Sequence, residues 1–251
     1  ERYPQLHLYI DDAHGMGWTG KNGCGIVRSK MGHHDKMVLA VSLNKSFAAA
    51  GGCLIFPNPA WEKKVRNCGS TYMFCGPIQP PMLGAAIASA RLHLSEAILP
   101  MQDQLKSLID HTNDTIQALG LPQFHPTASP VFFIPVGLPK ICYDMLGKMK
   151  ERGFYLNCAS FPAVPMRRSG IRFLVSAALS REQITAMLEA LAEVYVAIIH
   201  QHESSFAEVA KNFRIPPFEL KTQSQLHTLP ISEDQGLRVL VQESIQDCDR
   251  E

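Results

Sequence analysis

The sequence has almost no net charge. Its 24 Lys and Arg against 23 Asp and Glu leave +1, which gives no electrostatic case for nucleic acid or an anionic membrane as a partner. It has no C-x-x-C pair. The seven cysteines (24, 53, 68, 75, 142, 158, 248) are an odd number, and four lie in or beside apolar runs. They read as reduced core thiols of a cytoplasmic protein, not as a disulfide frame or a zinc site. No run is expected to span a bilayer, because the most apolar helix, 186–199, carries Glu189 and Glu193. The opening "ERYPQLHLYI" has neither a basic leader nor a cleavage site. It reads as the tail of one element entering a strand, so the chain is expected to begin mid-fold. There is no internal repeat, no Walker A segment and no G-x-S-x-G elbow. His33-His34-Asp35 and His200-x-His202-Glu203 lack further ligands at zinc spacing, so they read as solvated surface and no metal site is expected.

What is present is an ordinary globular composition, 46% hydrophobic and 19% charged over 251 residues, enough for one large domain or two modest ones. Short apolar runs at 6–10, 37–43 and 53–56 predict buried strands. Pro59 opens a short helix, and Pro80-Pro81 start another. After Pro100, the residues Leu105, Leu108, Ile109, Ile116 and Leu119 recur at helical period. The pattern then resets, with strands at 131–136, 154–157 and 171–175 and a helix at 140–152. Ser180 reads as the cap of a last helix with Glu182 in its first turn. The expected organisation is 1–95 as part of a large domain, 96–198 as a linker helix and a small α/β domain, and 199–251 as a loosely packed polar tail.

The segment "LYIDDAHGMGWTG" at 8–20 contains a literal G-x-G-x-x-G. A dinucleotide loop needs its third glycine to open an apolar helix, with an acid closing the next strand. Here "KNGCG" follows Gly20, and Asp35 precedes the next strand instead of closing it. The strand ends offer a better reading. Asp11 closes one buried strand and Lys45 follows another, and ligands of open α/β sheets bind outside the carboxyl ends of strands. An amine and a carboxylate placed there suit pyridoxal 5'-phosphate, which needs an amine for its aldehyde and an anion to keep its ring nitrogen protonated.

Four segments carry a resemblance. "IDDAHGMGWTGKNGCG" resembles the D-[DE]-A-H-S/G-x-G-x-x-G-x-x-G-x-G segment of the α-oxoamine synthases, and "VSLNKSFAAAGG" is similar to their lysine segment. "STYMFCGPIQPPMLGAAIASARLHL" and "SGIRFLVSAALSREQI" resemble two later segments of the family, in the right order over about 5–198. The resemblance implies an α/β fold: the C-terminal part of a fold-type-I transferase, with a partial large-domain sheet, its helices and a small C-terminal α/β domain. It implies an acyltransferase that condenses an amino acid with an acyl-coenzyme A thioester, using pyridoxal phosphate, as a homodimer. An aminotransferase of the same fold and a catalytically inactive partner of a complete homologue are the alternatives.

The resemblance also distributes roles. Lys45 holds the cofactor aldehyde and moves protons at the substrate α-carbon; its plain alternative is a surface lysine after a strand. Asp11 pairs with the pyridinium nitrogen, against the alternative of a strand-end acid in a turn. His14 contacts the cofactor's phenolic oxygen, Ser42 its phosphate, and Arg172 the substrate carboxylate. Asp12 is structural. Gly76 stands in the family's phosphate segment, where Cys75-Gly76 replaces a Ser-Thr pair, so only a backbone N–H remains to bind there. Leu179 replaces a frequent histidine. The segment 72–76 lies near the family's dimer interface, and the family's phosphate cradle and stacking aromatic precede the aspartate motif.

Overall fold

The strand β2 (Met37–Ser42) organises the first sheet. Its alternate residues Met37, Leu39 and Val41 are buried, as period-2 geometry requires of a half-buried strand. β1 (Leu8–Asp11) pairs with it in parallel and β3 (Gly52–Ile55) antiparallel, giving the order β1-β2-β3. The computed structural model describes residues 3–221. By its internal contacts the chain divides into two units. The first is Glu1–Asn113, Pro126–Phe132 and Phe173–Ile184; the second is Asp114–His125, Phe133–Arg172 and Thr185–Glu251.

In the first unit β1 leads through a glycine-rich turn into the six-residue helix α1 (Gly25–Lys30), which the sequence did not announce. α2 (Pro59–Cys68) starts where Asn58 accepts a hydrogen bond from the Trp61 N–H, with Pro59 in the first turn. The short α3 (Ser70–Met73) and the long α4 (Pro80–His93) follow. α5 (Ile98–Leu119) buries the predicted stripe of Leu105, Leu108, Ile109, Ile116 and Leu119. Pro100 sits in its first turn, where a missing N–H costs nothing, so the proline does not interrupt it. α5 enters the second unit at Asp114.

A second sheet has the order β4-β6-β5, from β4 (Val131–Gly137), β5 (Asn157–Ala159) and β6 (Ser169–Leu174). α6 (Pro139–Glu151) buries Ile141, Met145 and Met149 at four-residue spacing. Its end explains why β5 begins three residues later than the apolar run at 154–157 predicts. Gly153 takes a left-handed φ of 85° and the Phe154 N–H returns to Met149 O. The start of that run is therefore consumed in closing the helix. α7 (Arg181–Gln201) has a reciprocal cap: the Gln183 N–H donates to Ser180 Oγ while the Ser180 N–H donates to Gln183 Oε1.

Several expectations are corrected. β1 and β3 are not buried strands: all of β3 is exposed, and in β1 only Ile10 is partly covered. Cys53, Cys68 and Cys75 are exposed and are not core thiols. α7 is, by length and composition, apolar enough to cross a membrane despite its glutamates, the one such unbroken helix among the described residues. α4 and α5 pass the same test only as a pair bent by 85°. In α7 the apolar face is spent on the core, where Leu188, Leu191, Tyr195 and Ile199 are fully buried. The chain beyond 200 is also not a loose tail as far as it is described. Ser205 caps α8 (Phe206–Phe213) through the Glu208 N–H, and Val209, Ala210 and Phe213 are buried. Residues 222–251 of the expected tail, with Cys248, lie outside the described residues.

Candidate active site

The parallel pairing of β1 and β2 sets the geometry. Asp11 is in register with Ala40, and the next N–H, of Asp12, donates to Ala40 O at 2.8 Å. β2 ends two residues later at Ser42, and Lys45 follows in a closed loop. Asp11, Ser42 and Lys45 therefore gather at the carboxyl ends of two adjacent parallel strands. Asp11 is exposed, and its Oδ1 accepts from the Ala13 N–H at 2.8 Å, which orients the carboxylate. Ser42 is buried and its hydroxyl donates to the Asn44 side-chain oxygen.

The lysine loop is fastened at three points by its own backbone. Leu43 N–H donates to Gly51 O, Ala49 N–H to Leu43 O, and Ala48 N–H to Lys45 O. Lys45 is exposed at the tip. Two residues on, Phe47 is buried, stacks on His93 with ring centroids 4.8 Å apart, and accepts from the Ser89 hydroxyl through its carbonyl. The buried His93 ring bridges further: Nε2 lies 3.0 Å from Gly17 O and Nδ1 2.8 Å from Ser89 O. α5 adds Gln102, whose amide donates to Trp18 O and Gly20 O. The lysine loop, the glycine-rich turn and α4 are thus joined through one imidazole.

This explains the glycines. At Gly17 (φ 97°) an added Cβ would stand 2.8 Å from Phe47 N and 2.9 Å from Ser46 Cβ, so only glycine lets the turn lie against the lysine loop. At Gly25 (φ 92°) a Cβ would meet the Asp12 carboxylate at 2.4 Å. Asp12 is buried, and its Oδ2 accepts from the Val27 N–H of α1 at 2.9 Å. Its structural assignment follows from that contact. Of these glycines, Gly17 serves backbone contact between two loops, and Gly25 makes room for the Asp12 carboxylate.

The other predicted residues are more dispersed. His14 is exposed in the same turn, and its carbonyl accepts from the Trp18 indole at 2.6 Å. Gly76 lies between α3 and α4 in an open position, with nothing within 4 Å of an added Cβ. Arg172 belongs to the second unit, half-buried on β6 and opposite Asn157 of β5. The histidines read as surface have backbone or acidic neighbours: His33 reaches Pro57 O, His34 pairs with Asp35, and His202 with Asp144 at 2.7 Å. Ser89, His93 and Gln102 were missed by the sequence reading. The signal available was a polar pair at i, i+4 on an otherwise apolar helix.

The family model described as aminotransferase class I and II matches residues 1–191. The chain belongs to that family, whose cofactor is pyridoxal phosphate. Its relatives fall in the α-oxoamine synthase branch. It is 32% identical over 188 residues to an 8-amino-7-oxononanoate synthase of Saccharophagus degradans, covering 74% of this chain and 46% of that protein. It is 28% identical over 192 residues to a serine palmitoyltransferase of Caulobacter vibrioides, covering 76% and 46%. The chain spans about half the length of the curated relatives it matches. Among solved structures, the 8-amino-7-oxononanoate synthase of Francisella tularensis superposes with a TM-score of 0.66 at 19% identity, covering 77% of this chain and 55% of that one. Sphingomonas wittichii serine palmitoyltransferase gives 0.69 at 22%, covering 78% and 49%. These likenesses show the fold, a partial fold-type-I α/β architecture. The donor set on the strand ends, an exposed amine, an oriented carboxylate and a buried hydroxyl, fits pyridoxal phosphate.

Proposed function

We propose that this chain forms the C-terminal portion of a pyridoxal phosphate-dependent acyltransferase that condenses an amino acid with an acyl-coenzyme A thioester to give an α-amino ketone. The observation carrying this reading is the placement of Lys45 and Asp11 at the ends of adjacent parallel strands, on segments locked by backbone hydrogen bonds. The cofactor, when bound, supplies an electron sink for the substrate α-carbon. Lys45 holds the cofactor and its amine moves the proton at that carbon. Asp11 offers a carboxylate oxygen to the ring nitrogen and keeps it protonated. His14 donates to the phenolic oxygen, and the Gly76 N–H and the Ser42 hydroxyl, once turned from Asn44, donate to the phosphate. Arg172 takes the substrate carboxylate through its guanidinium fork.

Assembly as a homodimer is part of the proposal. It is supported by the exposure of Tyr72, Met73 and Phe74 beside Gly76, a cluster of large apolar side chains. A cytoplasmic location is supported by the free thiols of Cys53, Cys68 and Cys75 at the surface. The family match favours one alternative, an aminotransferase of the same fold. The other alternative is an inactive partner subunit of a complete homologue.

The test is to incubate the chain with pyridoxal phosphate, record the visible spectrum, reduce with borohydride and map the label. Label on Lys45, with none on a Lys45→Ala variant, supports the reading; label spread over other lysines defeats it. Release of free thiol from an acyl-coenzyme A separates a synthase from an aminotransferase. A partner subunit would need a longer homologue for turnover and would tolerate Lys45→Ala.

A further inference from the structure

Within the second unit, two cysteines on different elements meet. Cys142 on α6 and Cys158 on β5 have their Sγ atoms 2.6 Å apart. A disulfide bond is about 2.05 Å long, so little movement separates the thiols from the bond. A second contact lies beside it: Tyr143 Oη on α6 is 3.0 Å from Oγ of Ser160, the residue that follows β5. The two sulfurs are chemically unequal. Cys142 is fully buried, and its burial and the neighbouring Cys158 push its thiol pKa up, so it stays protonated. Cys158 is half-buried.

We propose that Cys142 and Cys158 are a peroxide-sensitive modification site that closes to a reversible disulfide. The Cys158 sulfur attacks one oxygen of hydrogen peroxide, the O–O bond breaks, and the departing hydroxide leaves with the Cys158 thiol proton as water. Cys158 is left as a sulfenic acid. The Cys142 sulfur then attacks the Cys158 sulfur, the S–O bond breaks, and the hydroxyl leaves with the Cys142 proton as a second water. The two thiols give up two electrons, and one peroxide is reduced to two waters. A dithiol reductant reverses the bond by exchange.

The location gives the modification a consequence. β5 is a three-residue edge strand, held to β6 by the pairs Asn157–Arg172, Cys158–Ile171 and Ala159–Gly170. A bond from Cys158 to α6 fixes that edge one residue from the partner of Arg172. The bond itself stands without the enzymatic reading; only its bearing on a substrate carboxylate rests on that reading.

The experiment treats the whole chain with near-stoichiometric hydrogen peroxide, blocks remaining thiols by alkylation, and maps peptides with and without dithiothreitol. The expected result is a cross-linked Cys142–Cys158 peptide two hydrogens lighter than its halves, two thiols lost per chain, and both recovered with reductant. In a Cys142→Ser variant, Cys158 sulfenic acid persists and dimedone labels it about tenfold more than in the parent, since no resolving thiol remains. In Cys158→Ser, Cys142 stays unmodified. Oxidation of the exposed Cys53, Cys68 and Cys75 without the Cys142–Cys158 peptide overturns the proposal. Preferential pairing of Cys142 or Cys158 with another cysteine does the same.

Discussion

Replacing His93 by alanine tests how the lysine loop is held. The ring is buried, stacks on Phe47 at 4.8 Å and lies within hydrogen-bond distance of Gly17 O and Ser89 O. Ser89 O sits in α4, where the helix ladder also serves it. Gly17 O loses its partner in a buried setting, at a cost of about 1–3 kcal/mol. The lost ring stack adds about 0.5–1.5 kcal/mol. The expected destabilisation is therefore about 3 kcal/mol, a large share of the roughly 5–15 kcal/mol that holds a domain. With a urea slope of about 1–3 kcal/mol/M, the midpoint falls by about 1–3 M. The loop should also loosen locally, so trypsin should cut after Lys45 sooner in the folded variant. His93→Gln, which can return one donor toward Gly17 O, should recover part of both effects. A loss under about 1 kcal/mol, with unchanged cleavage at Lys45, would refute the reasoning that this ring ties the two loops together.

The remaining expectations use the same ledger of partners. Gly17→Ala must fail more severely than an exposed Gly76→Ala, because its Cβ would meet the Phe47 backbone at 2.8 Å while nothing lies within 4 Å at Gly76; thermal melting should show a drop of several degrees for the first and about none for the second. Tyr195→Phe removes the hydroxyl that donates to Pro135 O at 2.7 Å, and should cost about 1–3 kcal/mol in urea unfolding. Burial also pushes the Tyr195 phenol above its ordinary value. The stability it contributes is fully present below pH about 10 and is lost as pH rises further, by up to about 1.4 kcal/mol per pH unit. Unfolding of the parent and of Tyr195→Phe at pH 8 and 11 should show this loss reduced in the variant. Ser169 Oγ is buried and has no hydrogen-bond partner among the described residues, so Ser169→Ala should leave the melting temperature unchanged or raise it, and a clear fall would show that the hydroxyl is satisfied in solution.

Much of this was legible in the sequence because the signals were local. The apolar run of 37–43 gave β2, the stripe from Leu105 to Leu119 gave α5, and Ser180 marked the start of α7. The strand-end positions of Asp11 and Lys45 followed from those strands. What could not be read depends on distant partners. The role of Gly17 is set by Phe47, thirty residues later, and His93 acquires its place only when α4 meets the glycine turn. β5 starts later than its apolar run because helix closure at Gly153 competes with strand propensity for the same residues. α8 hid in a polar stretch because three buried residues suffice to hold a two-turn helix with a good cap.

The central claim is that the amine of Lys45 and the carboxylate of Asp11 serve one cofactor from adjacent strands. The most direct measurement is borohydride reduction of the chain with pyridoxal phosphate, followed by peptide mapping of the parent and of Asp11→Asn and Lys45→Ala. The account predicts the reduced cofactor on Lys45 in the parent, no defined label in Lys45→Ala, and label on Lys45 with an altered visible spectrum in Asp11→Asn. Equal labelling of several lysines, or a spectrum indifferent to Asp11, would contradict it.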